Sequence, residues 1–123
     1  MLNFSRSCLA AASLCLLLHA SAVSAHAFPE RSEPRVGATS DGSIGHVRIW
    51  FDTEIEPVFS TLRVVDTQGR QVNRGSGQLN PTQGRLLEAA VPLLAPGAYR
   101  VFWHVVARDG HVTEGDFLFT VRR

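Results

Sequence analysis

Short segments in which apolar and polar residues alternate constrain the fold of this chain more than any other feature of its sequence. In the segment 46–51, Val47, Ile49 and Phe51 share one face, which is the two-residue period of a half-buried strand. Similar segments predict strands over 61–66, 86–91, 99–107 and 116–121. Prolines confine residues 26–39 to an edge strand or an extended lead-in, and residues 73–85 are predicted to form a loop, with room for a short strand.

The spacing of these segments predicts the fold class. Six or seven short strands follow one another at intervals of roughly 8 to 12 residues, and no helical period is sustained after residue 25. We expect an all-β domain, an immunoglobulin-like Greek-key β-sandwich of about seven strands, with a closed barrel as the alternative. In a sandwich, the first strand and the link between the last two strands can lie at the same end.

The first 25 residues have the order of a secretory signal peptide. Arg6 is the only charged residue before an apolar run over 9–18, and small residues follow up to Ala25. The apolar run is too short to span a bilayer. Cleavage after Ala22 and cleavage after Ala25 both fit the spacing, so this pattern alone leaves both open.

The composition of residues 26–123 excludes several classes of function. Both cysteines, Cys8 and Cys15, lie in the expected signal peptide, so the exported domain has neither a disulfide nor a thiolate ligand. Of the 12 basic residues, all arginine, only Arg6 precedes the domain, and 11 acidic residues balance the others. Such a neutral domain has neither a nucleic-acid footprint nor a polybasic membrane surface.

Three residues suggest a metal site. Asp109 and His111 are two positions apart, so on an extended backbone their side chains point to the same side. A mature chain beginning at His26 adds a free α-amine, with a pKa near 8, and an imidazole, which together can chelate one ion. Three nitrogens and a carboxylate favour Cu(II). By itself, however, Asp109-Gly110-His111 is also a common turn sequence.

The other histidines and acidic residues have simpler interpretations. His46 and His104 lie in predicted strands without a matched partner, although His104 precedes the candidate site and is a possible hydrogen-bond donor to it. The acids at 52, 54 and 56 are expected in a solvated loop, with Asp52 a candidate for contact with a partner.

Several motifs of residues 26–123 form a recognisable set. They are His26-Ala27 directly after the signal peptide, Ser32-Glu33-Pro34 followed by Gly37-Ala38, Pro96-Gly97-Ala98-Tyr99 through Trp103, Asp109-Gly110-His111, and Gly115-Asp116-Phe117. Over essentially all of residues 26–123, the chain resembles the CopC-type periplasmic copper-binding proteins.

This resemblance implies a fold, a site and a function. It implies a seven-stranded sandwich that binds one Cu(II) per chain through His26, Asp109 and His111, and cleavage after Ala25, which gives a signal peptide over 1–25 and a copper-binding domain over 26–123. The implied role is that of a periplasmic copper carrier or buffer in copper resistance or homeostasis. A protein in this role catalyses no reaction. The implied partner is an inner-membrane copper transporter of the CopD type.

The chain departs from the family pattern at two places. Some members bind Cu(I) at a methionine-rich site, whereas the only methionine here is Met1, so we expect no Cu(I) site. Many relatives have Phe-Ser-Glu where this chain has Phe51-Asp52-Thr53, and their glutamate supports the copper ligands. Thr53, Glu54 and Glu114 are candidates for that supporting role.

Two other functions compete with a copper carrier. An N-terminal histidine paired with a second histidine also binds copper in polysaccharide monooxygenases, and peroxide-driven cleavage of chitin or cellulose would reveal such an enzyme. A metal-free immunoglobulin-like interaction module would bind no copper tightly.

Overall fold

The computed structural model describes residues 26–123, which form eight β-strands and, within that range, no helix. The strands are β1 (Pro29–Glu33), β2 (Thr39–Ser40), β3 (His46–Phe51), β4 (Thr61–Val65), β5 (Gln78–Asn80), β6 (Gln83–Ala90), β7 (Gly97–Val106) and β8 (Val112–Val121). The expected signal peptide, the cleavage positions, Met1 and both cysteines lie outside the described residues. Nothing within residues 26–123 is a helix long and apolar enough to cross a membrane.

The strands form two four-stranded sheets, with the orders β1-β3-β6-β5 and β2-β8-β7-β4. All strand pairs are antiparallel except β2 with β8. The β5–β6 and β7–β8 hairpins stay within one sheet, whereas the β3–β4 and β6–β7 connections pass between the sheets, as in immunoglobulin domains. The predicted β-sandwich is therefore confirmed and the closed barrel is wrong. The strand count exceeds seven because the two-residue β2 lies at the edge of the second sheet.

The core lies between the two sheets and consists of the inward side chains of the alternating strands. In β3, Val47, Ile49 and Phe51 are buried, as the alternation predicts. Phe51 meets Trp103 of β7 edge to face, with ring centroids 5.5 Å apart. The end of β3 is thus packed against the opposite sheet, on the half of β7 that leads to the β7–β8 connection.

Pairing between the last two strands extends them beyond the sequence prediction. β8 begins at Val112 instead of residue 116 and pairs with β7 over ten residues. Residues 112–116 include a glutamate and a glycine, two residue types that are depleted in strands. The start of β8 is therefore determined by its hydrogen-bonded pairing with β7 and not by local strand propensity. β6 likewise starts at Gln83, and β5 occupies part of the predicted loop. The link between β7 and β8 is consequently only five residues long, 107–111.

Candidate metal site

The β7–β8 link presents Asp109 and His111 at one end of the sandwich. The turn is closed by two backbone hydrogen bonds: the N–H of Ala107 donates to the carbonyl of His111 at 2.9 Å, and that of Gly110 donates to the carbonyl of Ala107 at 2.8 Å. Gly110 has a φ of 88°, in the left-handed region that glycine adopts without strain. The turn therefore fixes the backbone of both candidate ligands.

Asp109 and His111 contact each other through two hydrogen bonds. The backbone N–H of His111 donates to Oδ1 of Asp109 at 3.0 Å, and Nδ1 of His111 lies 2.8 Å from Oδ2. These bonds, the backbone one foremost, hold the pKa of Asp109 below its ordinary value, and the charges of His111 and His26 add to the effect. Because an ionised carboxylate can only accept, Nδ1 of His111 donates the proton of this hydrogen bond, and Nε2 is the ring nitrogen that remains for a metal ion.

The segment before β1 brings His26 to the same end of the fold. The ring centroids of His26 and His111 are 4.5 Å apart, with 57° between the ring planes. Ala27 is fully buried in the core, and its carbonyl accepts a hydrogen bond from the hydroxyl of Thr113 in β8. The start of the domain is thereby attached to the strand that follows the Asp109–His111 turn.

Asp52, directly after β3, binds the next residue of this segment. Its carboxylate Oδ1 accepts a hydrogen bond from the N–H of Phe28 at 2.8 Å, and its own N–H donates to the carbonyl of Phe28 at 2.9 Å. The sequence predicted that Asp52 lies in a solvated loop or contacts a partner. Asp52 is indeed exposed, but its carboxylate binds the N-terminal segment of its own chain. No sequence signal marks this contact, because its partner is a backbone group.

The three predicted ligands are neighbours, although they are not yet arranged as ligands. Within the part of the chain that the structure describes, no three His, Cys, Asp or Glu side chains form a group that could already hold a metal ion. The two imidazoles are in contact, and the Asp109 carboxylate is bonded to one of them. Rotation of these three side chains, of which that of His111 is the most exposed, together with a free amine on His26, would supply the three nitrogens and one oxygen that suit Cu(II).

The other two histidines of residues 26–123 lie outside this group. His104 is on β7, where its Nδ1 is 3.1 Å from the carbonyl of Phe59, and Glu114 is its partner across the β7–β8 ladder. His46 is exposed at the start of β3, at the opposite end of that strand from Phe51. Neither ring contacts His26 or His111 among the aromatic pairs of residues 26–123.

Thr53 and Glu54, expected to support the ligands, form no hydrogen bond or ion pair with His26, Asp109 or His111 among the described residues. Glu54 forms an ion pair with Arg108, with 3.4 Å between Oε2 and the guanidinium Nη2, and Arg108 directly precedes Asp109. Thr53 forms no side-chain hydrogen bond with any other described residue. Among the residues after β3, the observed contact with the N-terminal segment is made by Asp52.

Comparison with known families identifies the group to which the chain belongs. The model of the CopC domain matches residues 29–122, most of the length of the chain. The chain belongs to the CopC family. Members of this family are periplasmic copper-binding resistance proteins and not enzymes, so the predicted resemblance is confirmed, and with it the expectation of a protein that is not an enzyme.

Individual relatives agree with this assignment. Protein YobA of Escherichia coli (strain K12) is 29% identical over 99 residues, which is 80% of each chain, and protein YobA of Shigella flexneri gives the same values. The crystal structure of CopC from Methylosinus trichosporium OB3b matches with a TM-score of 0.72 and 30% identity, covering 78% of this chain and 93% of that one. PcoC, a methionine-rich copper resistance protein from Escherichia coli, matches with a TM-score of 0.64 over 80% of this chain and 100% of its own; at 21% identity it shows the shared fold alone.

Proposed function

We propose that the chain is an exported Cu(II)-binding protein that acts as a copper carrier or buffer in copper resistance or homeostasis. On this proposal the signal peptide over residues 1–25 is removed, the mature CopC domain is residues 26–123, and each chain binds one Cu(II). The ligands are the α-amine and imidazole of His26, the imidazole of His111 and a carboxylate oxygen of Asp109.

The contact between the His26 and His111 rings is the observation that best supports this site. The two residues come from opposite ends of the domain, and their ring centroids are 4.5 Å apart. The hydrogen bond from Nδ1 of His111 to Asp109 leaves Nε2 of His111 available, and the backbone N–H of His111, with this bond, lowers the pKa of the Asp109 carboxyl. An α-amine with a pKa near 8 loses its proton readily when a metal ion competes for it.

The available donor atoms favour Cu(II) over Cu(I). Cu(I) selects thioether and thiolate ligands, but the only methionine is Met1 and the only cysteines are Cys8 and Cys15, all before residue 26. Nitrogen and carboxylate ligands suit Cu(II). Residues 26–123 contain no methionine, unlike the methionine-rich relative PcoC, and on this proposal they have no Cu(I) site.

The position of the site supports a role in handing copper on. Asp109, Gly110 and His111 are exposed at the tip of a turn, so a partner can approach a bound ion without any opening of the fold. We place the protein in the periplasm, where it would lower free Cu(II) or pass it to an inner-membrane copper transporter of the CopD type. This role requires reversible binding and no reaction at the metal.

Copper titration followed by electron paramagnetic resonance tests the proposal. A form that begins at His26 is expected to give a nitrogen-rich tetragonal Cu(II) signal that saturates at one equivalent. A form that begins at Ala25 has the same side chains, but the amine of His26 is in a peptide bond. We expect this form to lose the signal and much of the affinity.

Single substitutions in the His26 form assign the other ligands. His111→Asn and Asp109→Asn are expected to weaken copper binding without unfolding the sandwich, because both residues are exposed in a turn. His46→Asn is the matched control, since it removes an exposed imidazole at the far end of β3. Equal copper binding by all forms, or none by the His26 form, would contradict the site, and the latter would favour a metal-free interaction module.

A further inference from the structure

Asp52 and Thr113 together hold the two residues that follow His26. Thr113, in β8, donates its hydroxyl hydrogen to the carbonyl of Ala27. Asp52, which follows β3, bonds to both the N–H and the carbonyl of Phe28, at 2.8 and 2.9 Å. The segment is thus attached to both sheets, because β3 belongs to one and β8 to the other.

We propose that Asp52 is a positioning residue for the copper site: its carboxylate, with the Thr113 hydroxyl, fixes the N-terminal segment so that His26 faces His111. We call these two side chains and their bonds the clasp. This inference rests on the proposed function, because it concerns the same metal site.

The clasp would order the first residues of the domain before a metal ion binds. The first residues of a domain are usually poorly ordered unless something ties them down, and a ligand on a loose segment must be ordered when the metal binds. Ala27 is fully buried and Phe28 is half exposed, so burial anchors only the first of these two residues. The carboxylate of Asp52, beside the backbone hydrogen bond between the Asp52 N–H and the Phe28 carbonyl, supplies the second attachment, so that His26 leaves the sandwich at a fixed point.

The clasp also connects the two segments that bear the proposed ligands, the N-terminal segment and the β7–β8 hairpin. Thr113 is two residues after His111 in the same hairpin, so its bond to Ala27 fixes the distance between the backbones that bear the two imidazoles. Outer contacts of this kind orient metal ligands, and their removal typically lowers metal affinity by roughly 10- to 100-fold.

A direct metal bond from Asp52 is the rival role, and asparagine distinguishes the two. The amide oxygen of Asp52→Asn can still accept the hydrogen bond from the N–H of Phe28, but it has no charge with which to bind copper. Asp52→Ala removes both properties. A positioning role predicts that asparagine restores what alanine loses, whereas a ligand role predicts that both variants fail.

The test uses forms that begin at His26, compared by competitive Cu(II) titration and electron paramagnetic resonance. We expect Asp52→Ala to bind Cu(II) about tenfold more weakly or worse, with the same spectrum at saturation, because the ligands are unchanged. Asp52→Asn should stay within about threefold of the unsubstituted protein. Thr113→Val, which keeps the shape of the side chain and removes the hydroxyl, should resemble Asp52→Ala.

A matched control and a metal-free measurement complete the test. Asp41→Ala also removes an aspartate whose Oδ1 accepts a backbone N–H, that of Ser43, but in a turn between β2 and β3, and it should bind copper normally. Hydrogen exchange of the metal-free proteins should show faster exchange of the Phe28 amide in Asp52→Ala than in Asp52→Asn, since only alanine leaves that amide without an acceptor.

The outcomes separate this inference from the proposed function. If the unsubstituted protein binds copper and Asp52→Ala binds it equally well, the clasp has no positioning role. If Asp52→Asn is as weak as Asp52→Ala and both spectra change, Asp52 is a ligand and the inference is wrong. If the unsubstituted protein binds no copper, the proposed function itself fails.

Discussion

Gly115 illustrates how a single residue permits the packing behind the site. A Cβ atom at this position would lie 2.6 Å from Cζ2 and 2.9 Å from Cε2 of Trp103, closer than real Cβ contacts allow. Trp103 in turn packs edge to face on Phe51. Glycine is therefore needed here for space.

We expect Gly115→Ala to destabilise the domain by about 1–3 kcal/mol, because the indole of Trp103 must move. The control is Gly84→Ala, whose Cβ would lie 3.5 Å from the side chain of Glu54, an ordinary contact. Urea unfolding followed by tryptophan fluorescence measures both variants. Equal midpoints for Gly115→Ala and the unsubstituted protein would contradict the steric account.

At this scale the sequence predicted part of the candidate site. It singled out His26, Asp109 and His111, and the structure brings these three residues together. That these three residues bind copper stays a prediction. The sequence could not reveal the contact of Asp52, because a carboxylate that binds a backbone N–H leaves no pattern of paired side chains. Such a contact depends on which segments the fold places side by side.

Among the elements, β7 begins with a corner that connects it to the preceding turn. The hydroxyl of Tyr99 donates to the carbonyl of Ala95 at 2.6 Å, and its ring stacks on Phe119 of β8 with centroids 5.4 Å apart. Burial raises the pKa of Tyr99 above its ordinary value. This is the tyrosine corner of immunoglobulin-like sandwiches, here at the end of β7 remote from the candidate metal site.

Removal of the Tyr99 hydroxyl should destabilise this corner. Tyr99→Phe keeps the stacked ring and loses one hydrogen bond from a buried group, so we expect a loss of about 1 kcal/mol in the free energy of unfolding. Thermal unfolding measures this loss. Copper titration of the same variant should give the unsubstituted result, and weakened copper binding would show that the two ends of β7 are coupled.

The elements differ in how far the sequence could predict them. β3 was predicted with its observed bounds, because its apolar residues alternate without interruption. The start of β8 was placed four residues too late, since Gly115 and the polar residues before it mask the period. Its pairing with β7 extends it to Val112, and pairing partners are not visible in a local pattern.

On the scale of the whole molecule, the proposed site takes its ligands from segments that belong to different sheets. His26 precedes β1 of one sheet, whereas Asp109 and His111 lie between β7 and β8 of the other. A metal ion bound by all three would link the start of the domain to its last hairpin. Because these ligands are assembled only by the fold, copper should bind the folded state in preference to the unfolded chain.

We therefore expect Cu(II) to raise the thermal stability of the form that begins at His26. Free Cu(II) at 100 times the dissociation constant adds about 2.7 kcal/mol to the free energy of unfolding. For a domain of this size, that corresponds to a rise in Tm of about 10–20 °C. Scanning calorimetry with and without buffered Cu(II) measures the rise.

Two further proteins make this measurement specific to the site. His111→Asn should have nearly the same Tm as the unsubstituted protein without metal, because His111 is exposed, but copper should raise it much less. The form that begins at Ala25 should behave likewise, since its His26 nitrogen is an amide. An equal rise in all three proteins would mean that copper stabilises the sandwich from another place, and the link between its two ends would not exist.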